Sequence, residues 1–319
     1  MTRTSPARVH IAVLNWNGLD DTLACLESLA ALDFDGAEVV AIDNGSDTSP
    51  RAAIEAAHPS VEVLETGENL GYAGGNNVGM RRALEQGAEF VWVLNNDAVA
   101  DAGALEALVS AAERHPRAAA VGSKVLRADD PRTVWVTWGT VTWLQSLIRL
   151  AGHNQDDGPA LAGEREVQWI PGCSILFRCD ALRAVGLFDE TFFAYHEDVD
   201  WAARARAAGW QLWYTGDSVV RHAIHGSSGG EQQSYLGFRS YLSARNSVLF
   251  ARRHGSFWQQ ALMASAIVAT LPLQYLRRAI RGEQAGVRMK IRGWRDALAG
   301  RPIPLGELGL RRDRPKRPG

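Results

Sequence analysis

Phe90-Val91-Trp92-Val93-Leu94-Asn95-Asn96-Asp97-Ala98 is the stretch whose reading decides the fold. Five apolar residues in a row, β-branched or aromatic apart from Leu94, read as a strand covered on both faces. The run stops at two amides and a carboxylate. In an open α/β sheet, ligands sit in the crevice beyond the carboxyl ends of the strands. An acid there can hold a divalent cation, and the cation can hold a diphosphate. An Asx turn leading into the next helix uses the same residue types, so the choice rests on the rest of the chain.

Upstream, Val9 to Leu14 is a strand ending at Asn15-Trp16-Asn17-Gly18, and a helix follows with Leu23, Leu26 and Leu29 on one face. A second strand, Glu38 to Ile42, ends at Asp43-Asn44-Gly45-Ser46. A third, Val61 to Leu64, leads to Glu68-Asn69-Leu70-Gly71-Tyr72-Ala73-Gly74-Gly75-Asn76-Asn77, which opens a helix. This strand–helix alternation with short connections predicts a parallel sheet with right-handed crossovers. Asp43 and Asp97 then follow two buried strands and face one crevice. The glycine-rich stretch has neither the spacing of a dinucleotide-binding turn nor the Gly-Lys-Ser/Thr of a P-loop. Its missing side chains still leave room for a nucleotide to approach.

Downstream, residues 119–122 read as a strand, and residues 133–147 as a hairpin-like insertion containing Trp135, Trp138 and Trp143. These tryptophans serve packing or, at one position, a platform for a sugar ring. Residues 151–165 read as a polar, mobile loop. A strand at 169–178 precedes a short helix and then Tyr195-His196-Glu197-Asp198-Val199-Asp200. Glu197 and Asp198 open a helix, where the macrodipole favours the ionised carboxylate, either as a cap or as a base for a hydroxyl proton. Strands at 210–214 and 219–221 deliver His222, followed by His225 and a glycine-serine run at 226–230, where a flap would sit.

The 319 residues allow one large or two modest domains. Cys25, Cys173 and Cys179 form neither a disulfide framework nor a paired metal-ligand spacing, which fits a reducing cytosol. The chain enters its first strand without an apolar signal-peptide core. A net charge of −2 conceals an asymmetry: residues 1–250 carry 19 Lys/Arg against 32 Asp/Glu, and residues 251–319 carry 15 against 4. A basic tail on an acidic body points to an anionic partner. Ser256 caps an apolar segment, 257–273, that is too short and too interrupted for a membrane span. With the arginines that follow, it reads as an interfacial helix on an anionic membrane surface, or as a lid packed on the body. Nucleic acid is disfavoured as a partner, because the basic residues flank apolar helix and are not interleaved with exposed aromatics. Residues 311–319 read as disordered.

In order and spacing, the Asp43-Asn-Gly-Ser, Asn69–Asn77, Leu-Asn-Asn-Asp97, Gly-Leu-Phe-Asp189-Glu and Tyr-His-Glu197-Asp198-Val-Asp200 motifs, with His222, resemble family-two glycosyltransferases of the rhamnosyltransferase-like branch. The resemblance spans residues 8–250. It implies an α/β fold of the glycosyltransferase A type: a Rossmann-like, mostly parallel sheet flanked by helices, with residues 1–235 as the nucleotide-sugar-binding and catalytic domain. Residues 236–319 would be a basic, helical, membrane-surface region.

It further implies an inverting, metal-dependent transfer from a nucleoside-diphosphate sugar, dTDP-rhamnose in this branch, to a glycan or lipid-linked acceptor of cell-surface polysaccharide. The transfer would take place in the cytoplasm at the inner face of the membrane. Asp43 would contact the nucleoside, with Asn69, Gly74, Asn77 and Asn96 lining the donor site. Asp97 and His222 would ligate Mg2+ or Mn2+, and Asp198 would be the base. The motif departs from the family's frequent Asp-x-Asp, and Asn offers only a neutral carbonyl oxygen. That departure keeps a non-catalytic nucleotide-sugar-binding paralogue as the alternative.

Overall fold

The computed structural model describes residues 8–144, 146–223 and 237–310. His225, the 226–230 run, the 235/236 boundary and residues 311–319 lie outside the described residues. The first half alternates as its pattern predicts: β1 (Val9–Asn15), α1 (Leu19–Ala30), β2 (Ala37–Asp43), α2 (Arg51–Ala57), β3 (Glu62–Glu65), α3 (Gly71–Glu85) and β4 (Phe90–Asn95). These four strands are parallel in the order β3-β2-β1-β4, and Asn15 lies opposite Asp43 while Leu14 lies opposite Asn95. Their carboxyl ends therefore share one edge.

β4 is buried along its whole apolar run. Phe90, Trp92 and Leu94 join one hydrophobic core, with α1 and α4, while Val91 and Val93 join the other, with α3 and α6. The period of two puts alternate side chains on opposite faces, so a strand with apolar residues at every position can only lie between two layers.

The second half is less regular. It runs β5 (Ala98–Ala100), α4 (Ala104–Arg114), β6 (Ala118–Arg127), β7 (Thr133–Val136), β8 (Gly139–Val141), β9 (Ile148–Leu150), β10 (Gln155–Asp156), β11 (Glu164–Val167), β12 (Ser174–Arg178), α5 (Cys179–Val185), α6 (Glu197–Ala207) and β13 (Gln211–His222). β12 enters antiparallel between β4 and β6. The segments expected as two strands at 210–214 and 219–221 are one strand, β13, which follows β6 through an irregularity between Thr215 and Val219. The stretch expected as a mobile loop carries β10 and part of β11, and Lys124 pairs with its Asp157 at 2.9 Å.

A buried chain of hydroxyls crosses four strands. Trp92 Nε1 donates to Ser174 Oγ at 3.0 Å, and the Ser123 hydroxyl lies 2.7 Å from Ser174 Oγ and 2.8 Å from Ser218 Oγ. Each buried polar group finds a partner there, which is the condition for tolerating polarity in a core.

Three further helices close the described chain: α7 (Phe238–His254), α8 (Phe257–Ile280) and α9 (Gln284–Leu298). Ser256 caps α8 as expected, its side chain and that of Gln259 satisfying each other's backbone amides. Among the described residues no helix is long and apolar enough to cross a membrane.

The glycines of α3 also set its distance from the sheet. A Cβ on Gly79 would stand 2.7 Å from Ala12 Cβ of β1, well inside contact distance and against a side chain that cannot turn away. Gly79→Leu is expected to lower the unfolding free energy by about 1–3 kcal/mol through overpacking. The measurement is a fall in the denaturant midpoint at unchanged slope.

Candidate active site

Asp97 and His222 are 125 positions apart in sequence and meet because β5 pairs antiparallel with the end of β13, His222 opposite Ala98. His222 Nε2 lies 3.1 Å from Asp97 Oδ1 and 3.2 Å from the Asn95 amide nitrogen. The Trp135 ring stacks on the imidazole at a centroid distance of 4.5 Å, so this tryptophan orients a site residue. The donor set, one carboxylate oxygen beside one imidazole nitrogen, fits a divalent cation such as Mn2+ or Mg2+. Among the described residues no group of three or more His, Cys, Asp or Glu forms a closed cage. A two-ligand set suits a cation completed by phosphate oxygens and water. Asp21, in the first turn of α1, belongs to the same surroundings: burial and then the charge of Asp97 raise its pKa, and His222 opposes this.

Asn96 serves the scaffold. Its amide donates to Gly18 O at 3.2 Å and Thr22 Oγ1 at 3.0 Å, tying the end of β4 to the start of α1. Asp43, at the end of β2, accepts through Oδ1 from Asn15 Nδ2 at 3.2 Å and from the Ser46 amide at 3.3 Å. Asn69 Oδ1 accepts from Asn44 Nδ2 and from the Gly71 amide. Gly74 is buried beside Leu70 and Glu190. Asn77 Nδ2 donates to Phe188 O and to Glu190, while its Oδ1 accepts from the Phe188 amide, so the side chain clamps residues 188–190 to α3. Asp43 and Asn69 stand at the crevice edge, and Gly74 and Asn77 stand behind it.

Asp198 is at the start of α6. Its Oδ2 accepts from the Gly172 amide at 2.9 Å and its Oδ1 from the Val199 amide at 2.8 Å. Tyr72 OH donates to Gly172 O at 2.7 Å, so Gly172 is held from both sides. Burial pushes the Asp198 carboxyl up to about 6, against the pull of these amides. Glu197 is raised further, by burial and then by the charge of Asp198. Burial of two adjacent carboxyls disfavours ionising both, and the two backbone amides donating to Asp198 favour the charge on that member. Burial lowers His196 to about 4, which leaves a neutral imidazole.

The backbone leading to these acids is strained. Phe193, Tyr195 and His196 all have positive φ, at 62°, 67° and 70°. Phe193 also has ψ −64°, and the Ala194 amide donates to Phe192 O at 2.7 Å, which makes the rare γ-turn. Such residues cost about 1–3 kcal/mol each and persist only where the surroundings impose them.

Two elements impose them here. The Ala73 amide of α3 donates to Phe193 O at 2.9 Å, an approach that requires glycine at position 71, where a Cβ would lie 2.4 Å from that oxygen. From α7, the fully buried Asn246 places Nδ2 2.8 Å from the carbonyl oxygens of Phe192, Ala194 and Tyr195, and Arg245 donates to Thr191 O. Asp200, buried in the first turn of α6, adds a second tie by accepting from Arg204 Nε at 2.8 Å and lying 2.8 Å from His254 Nε2 of α7.

The two halves of the site join at the start of β12. Asn95 N donates to Cys173 O at 3.0 Å, next to the residue whose amide holds Asp198. The acids act on common neighbours: Cys173 is raised by burial and then by Asp97 and Asp198, and Tyr72 by burial and then by Glu197, with Asp198 and Asp97 contributing. Sequence reasoning missed Asn246, Tyr72, Asp21 and the positioning role of Asp200. An Arg-Asn pair inside an otherwise packed helix was the one available signal for Asn246.

A mostly parallel sheet with an antiparallel strand inserted beside β4, flanked by helices, has the glycosyltransferase A-type architecture. The chain belongs to glycosyl transferase family 2, whose family model matches residues 10–185, and it is a rhamnosyltransferase-like member. It is 32% identical over 248 residues to the N-acetylglucosaminyl-diphospho-decaprenol L-rhamnosyltransferase of Mycobacterium tuberculosis, covering 70% of this chain and 78% of that protein. It is 27% identical over 223 residues to the galactofuranosyltransferase GlfT1 of Mycolicibacterium smegmatis, covering 68% and 70%. In fold it is similar to a mannosyltransferase from Pyrobaculum calidifontis solved with GDP-Man and Mn2+. The TM-score is 0.58 at 19% identity, over 92% of this chain and 88% of that one.

Three predictions come from the acid pair and its loop. Asp198→Asn is expected to reduce turnover by about two to four orders of magnitude with donor binding retained. In the wild type, turnover should rise with pH through about 6, because the raised carboxyl must be ionised to accept a proton. Donor affinity measured by calorimetry beside a pH–rate profile tests both. Asn246→Ala should lower kcat about tenfold to a hundredfold through misplacement of the acids, leave the donor KM unchanged and shift the acidic limb of the profile. A purely structural role would move stability alone.

Proposed function

We propose that this chain is an inverting glycosyltransferase that moves a sugar, rhamnose, from a nucleoside-diphosphate donor to a hydroxyl of a lipid-linked glycan in cell-surface polysaccharide synthesis. The observation that carries the reading is the Asp198 carboxylate, held on the Gly172 amide one residue from the strand contact that leads to Asp97 and His222. A group that only binds a nucleotide needs no proton acceptor there. A single ionised carboxylate on the acceptor side supports one displacement, hence inversion at the anomeric carbon.

Asp198 would take the acceptor proton, and protonated Glu197 keeps a second negative charge from accumulating beside it. Asp43 and the Asn44–Asn69 pair support the nucleoside at the edge of β2, with Asn96 and Asn77 fixing the walls from behind. Asp97 and His222 would hold Mn2+ or Mg2+, and a divalent cation supplies charge stabilisation for the departing diphosphate. Rhamnose and the lipid diphosphate acceptor are drawn from the mycobacterial relative's name. The basic C-terminal region supports work at the inner, anionic face of the cell membrane. The interval 1–235 then serves donor binding and catalysis, and 236–319 serves the acceptor side.

The test is transfer by the purified full-length chain from a panel of nucleotide sugars to a short-chain lipid-diphosphate acceptor, with anomeric configuration read by NMR. Asp97→Ala is expected to abolish the Mn2+-dependent thermal shift given by nucleoside diphosphates and to lower transfer by about two to three orders of magnitude. His222→Ala should cost less, since one ligand remains. Full transfer by Asp97→Ala in the presence of EDTA would remove the metal from the mechanism.

A further inference from the structure

Helix α8 turns its apolar side outward. Its inner face rests on the body through Met263, which is buried, and the half-buried Ile267. On the outer side Phe257 and Trp258 are 74% and 78% exposed, Val268 is 72% exposed, and Leu273, Leu276 and Ile280 are exposed with them. At the helical period these six side chains fall within an arc of about 160°. No Asp, Glu, Lys or Arg occurs from 257 to 276, a stretch covering about 30 Å of helix. Arg277 then stands exposed just past one rim of the arc, and the exposed Arg281 caps the helix after it. A contiguous apolar face of this size on a surface helix marks an interaction site.

We infer that α8 lies flat in the interface of an anionic lipid bilayer, its outer arc among the acyl chains and Arg277 and Arg281 among the headgroups. Three observations choose lipid over other occupants. The helix is too short of apolar character to cross a membrane, so burial of one face is the available mode. Aromatic rings at its start and guanidinium groups at its end are the side chains that favour the interface. Residues 251–310 carry ten Lys/Arg against three Asp/Glu, a balance that attracts anionic lipid and repels a second copy brought face to face. The geometry also connects the surface to the chemistry. α8 continues from α7, whose Asn246 and His254 hold the loop and the helix that carry Asp198. Docking through α8 therefore anchors the frame of the base at the surface where a lipid-linked hydroxyl is presented. The inference deepens the lipid-linked acceptor reading and takes its biological sense from it.

The experiment is co-sedimentation of the full chain, without donor or acceptor, with vesicles of phosphatidylcholine alone or with about a third phosphatidylglycerol. The wild type should bind the anionic vesicles, more weakly at physiological than at low salt. Trp258→Glu combined with Leu276→Glu should weaken binding by about tenfold or more, since both side chains are on the arc. Arg277→Glu combined with Arg281→Glu should remove the preference for anionic lipid by a similar factor. Both variants should keep the thermal transition and the nucleoside-diphosphate shift of the wild type, because neither pair touches the core or the site.

Failure of the wild type to bind anionic vesicles at low salt would overturn the inference, as would arc variants that bind like the wild type. A dimer in solution that the arc substitutions split, with no vesicle binding, would assign the arc to a second copy. Vesicle binding without transfer to any lipid acceptor would defeat the acceptor reading alone. Transfer to a detergent-dispersed lipid acceptor without vesicle binding would defeat the docking alone.

Discussion

The site depends on one topological fact, the antiparallel entry of β12 between β4 and β6. In a parallel sheet every strand begins at the edge opposite the crevice, so only strand ends and the loops after them can line it. A strand running the other way begins at the crevice edge. β12 therefore places Gly172 and Cys173 against the end of β4, and the Asn95–Cys173 hydrogen bond closes the seam. The Gly172 amide then has one unshared donor at the crevice, and Asp198 takes it. The strand end that leads to Asp97 and the Asp198 carboxylate are thus joined through backbone, which does not drift with side-chain rotamers. The hydroxyl chain through Ser174, Ser123 and Ser218 fixes the strand in that register.

Around this seam the protein accepts electrostatic and conformational costs that a mere scaffold would avoid. Two neighbouring carboxyl groups are buried, which disfavours ionising both and leaves one charge between them. Three of the four residues before them, Phe193, Tyr195 and His196, occupy positive φ. A side-chain amide satisfying three carbonyls is an uncommon use of asparagine, and it stabilises a backbone shape that no local sequence preference supports. The consequence is that the C-terminal helices are part of the frame that holds Asp198. They reach the loop and helix that carry Asp198 through Asn246, Arg245 and His254, so the shape of the loop is coupled to whatever holds those helices.

How far all this was legible in the sequence follows from the range of the interactions. β4 could be read because burial on both faces leaves an unbroken apolar run, and the strand–helix alternation up to β4 could be read because each element carries its own period. Asp43 and Asp97 were located because a strand end is a local feature. The insertion of β12 was not, since nothing in Ser174–Arg178 distinguishes a parallel from an antiparallel neighbour. The glycine-rich stretch reads as room for a nucleotide; what the sequence could not show is that Gly75 also lies against Leu14 of β1 and that Asn77 clamps a segment 111 residues away. Such contacts impose no periodicity and leave no trace in composition. The outward-facing α8 was half legible: its apolar content was visible, but which face it turned away from the core required the structure.

The Asn95-Asn96-Asp97 motif is best understood from what each amide touches. Asn95 Nδ2 lies 3.2 Å from His222 Nε2. A carboxylate in its place would set a second negative charge close to Asp97. Asn96 donates to Gly18 O as well as to Thr22 Oγ1. An ionised aspartate has no proton for that carbonyl, and its burial beside Gly18 O would be repulsive. Neither position could take an acid without crowding Asp97 with charge or disturbing the start of α1. On the proposed metal reading His222 would supply the second ligand from β13 beside the single aspartate, and the two asparagines are neutral donors next to them. On that reading the departure from Asp-x-Asp would be a redistribution of the ligand set from one strand end onto two, brought together by the pairing of β5 with β13.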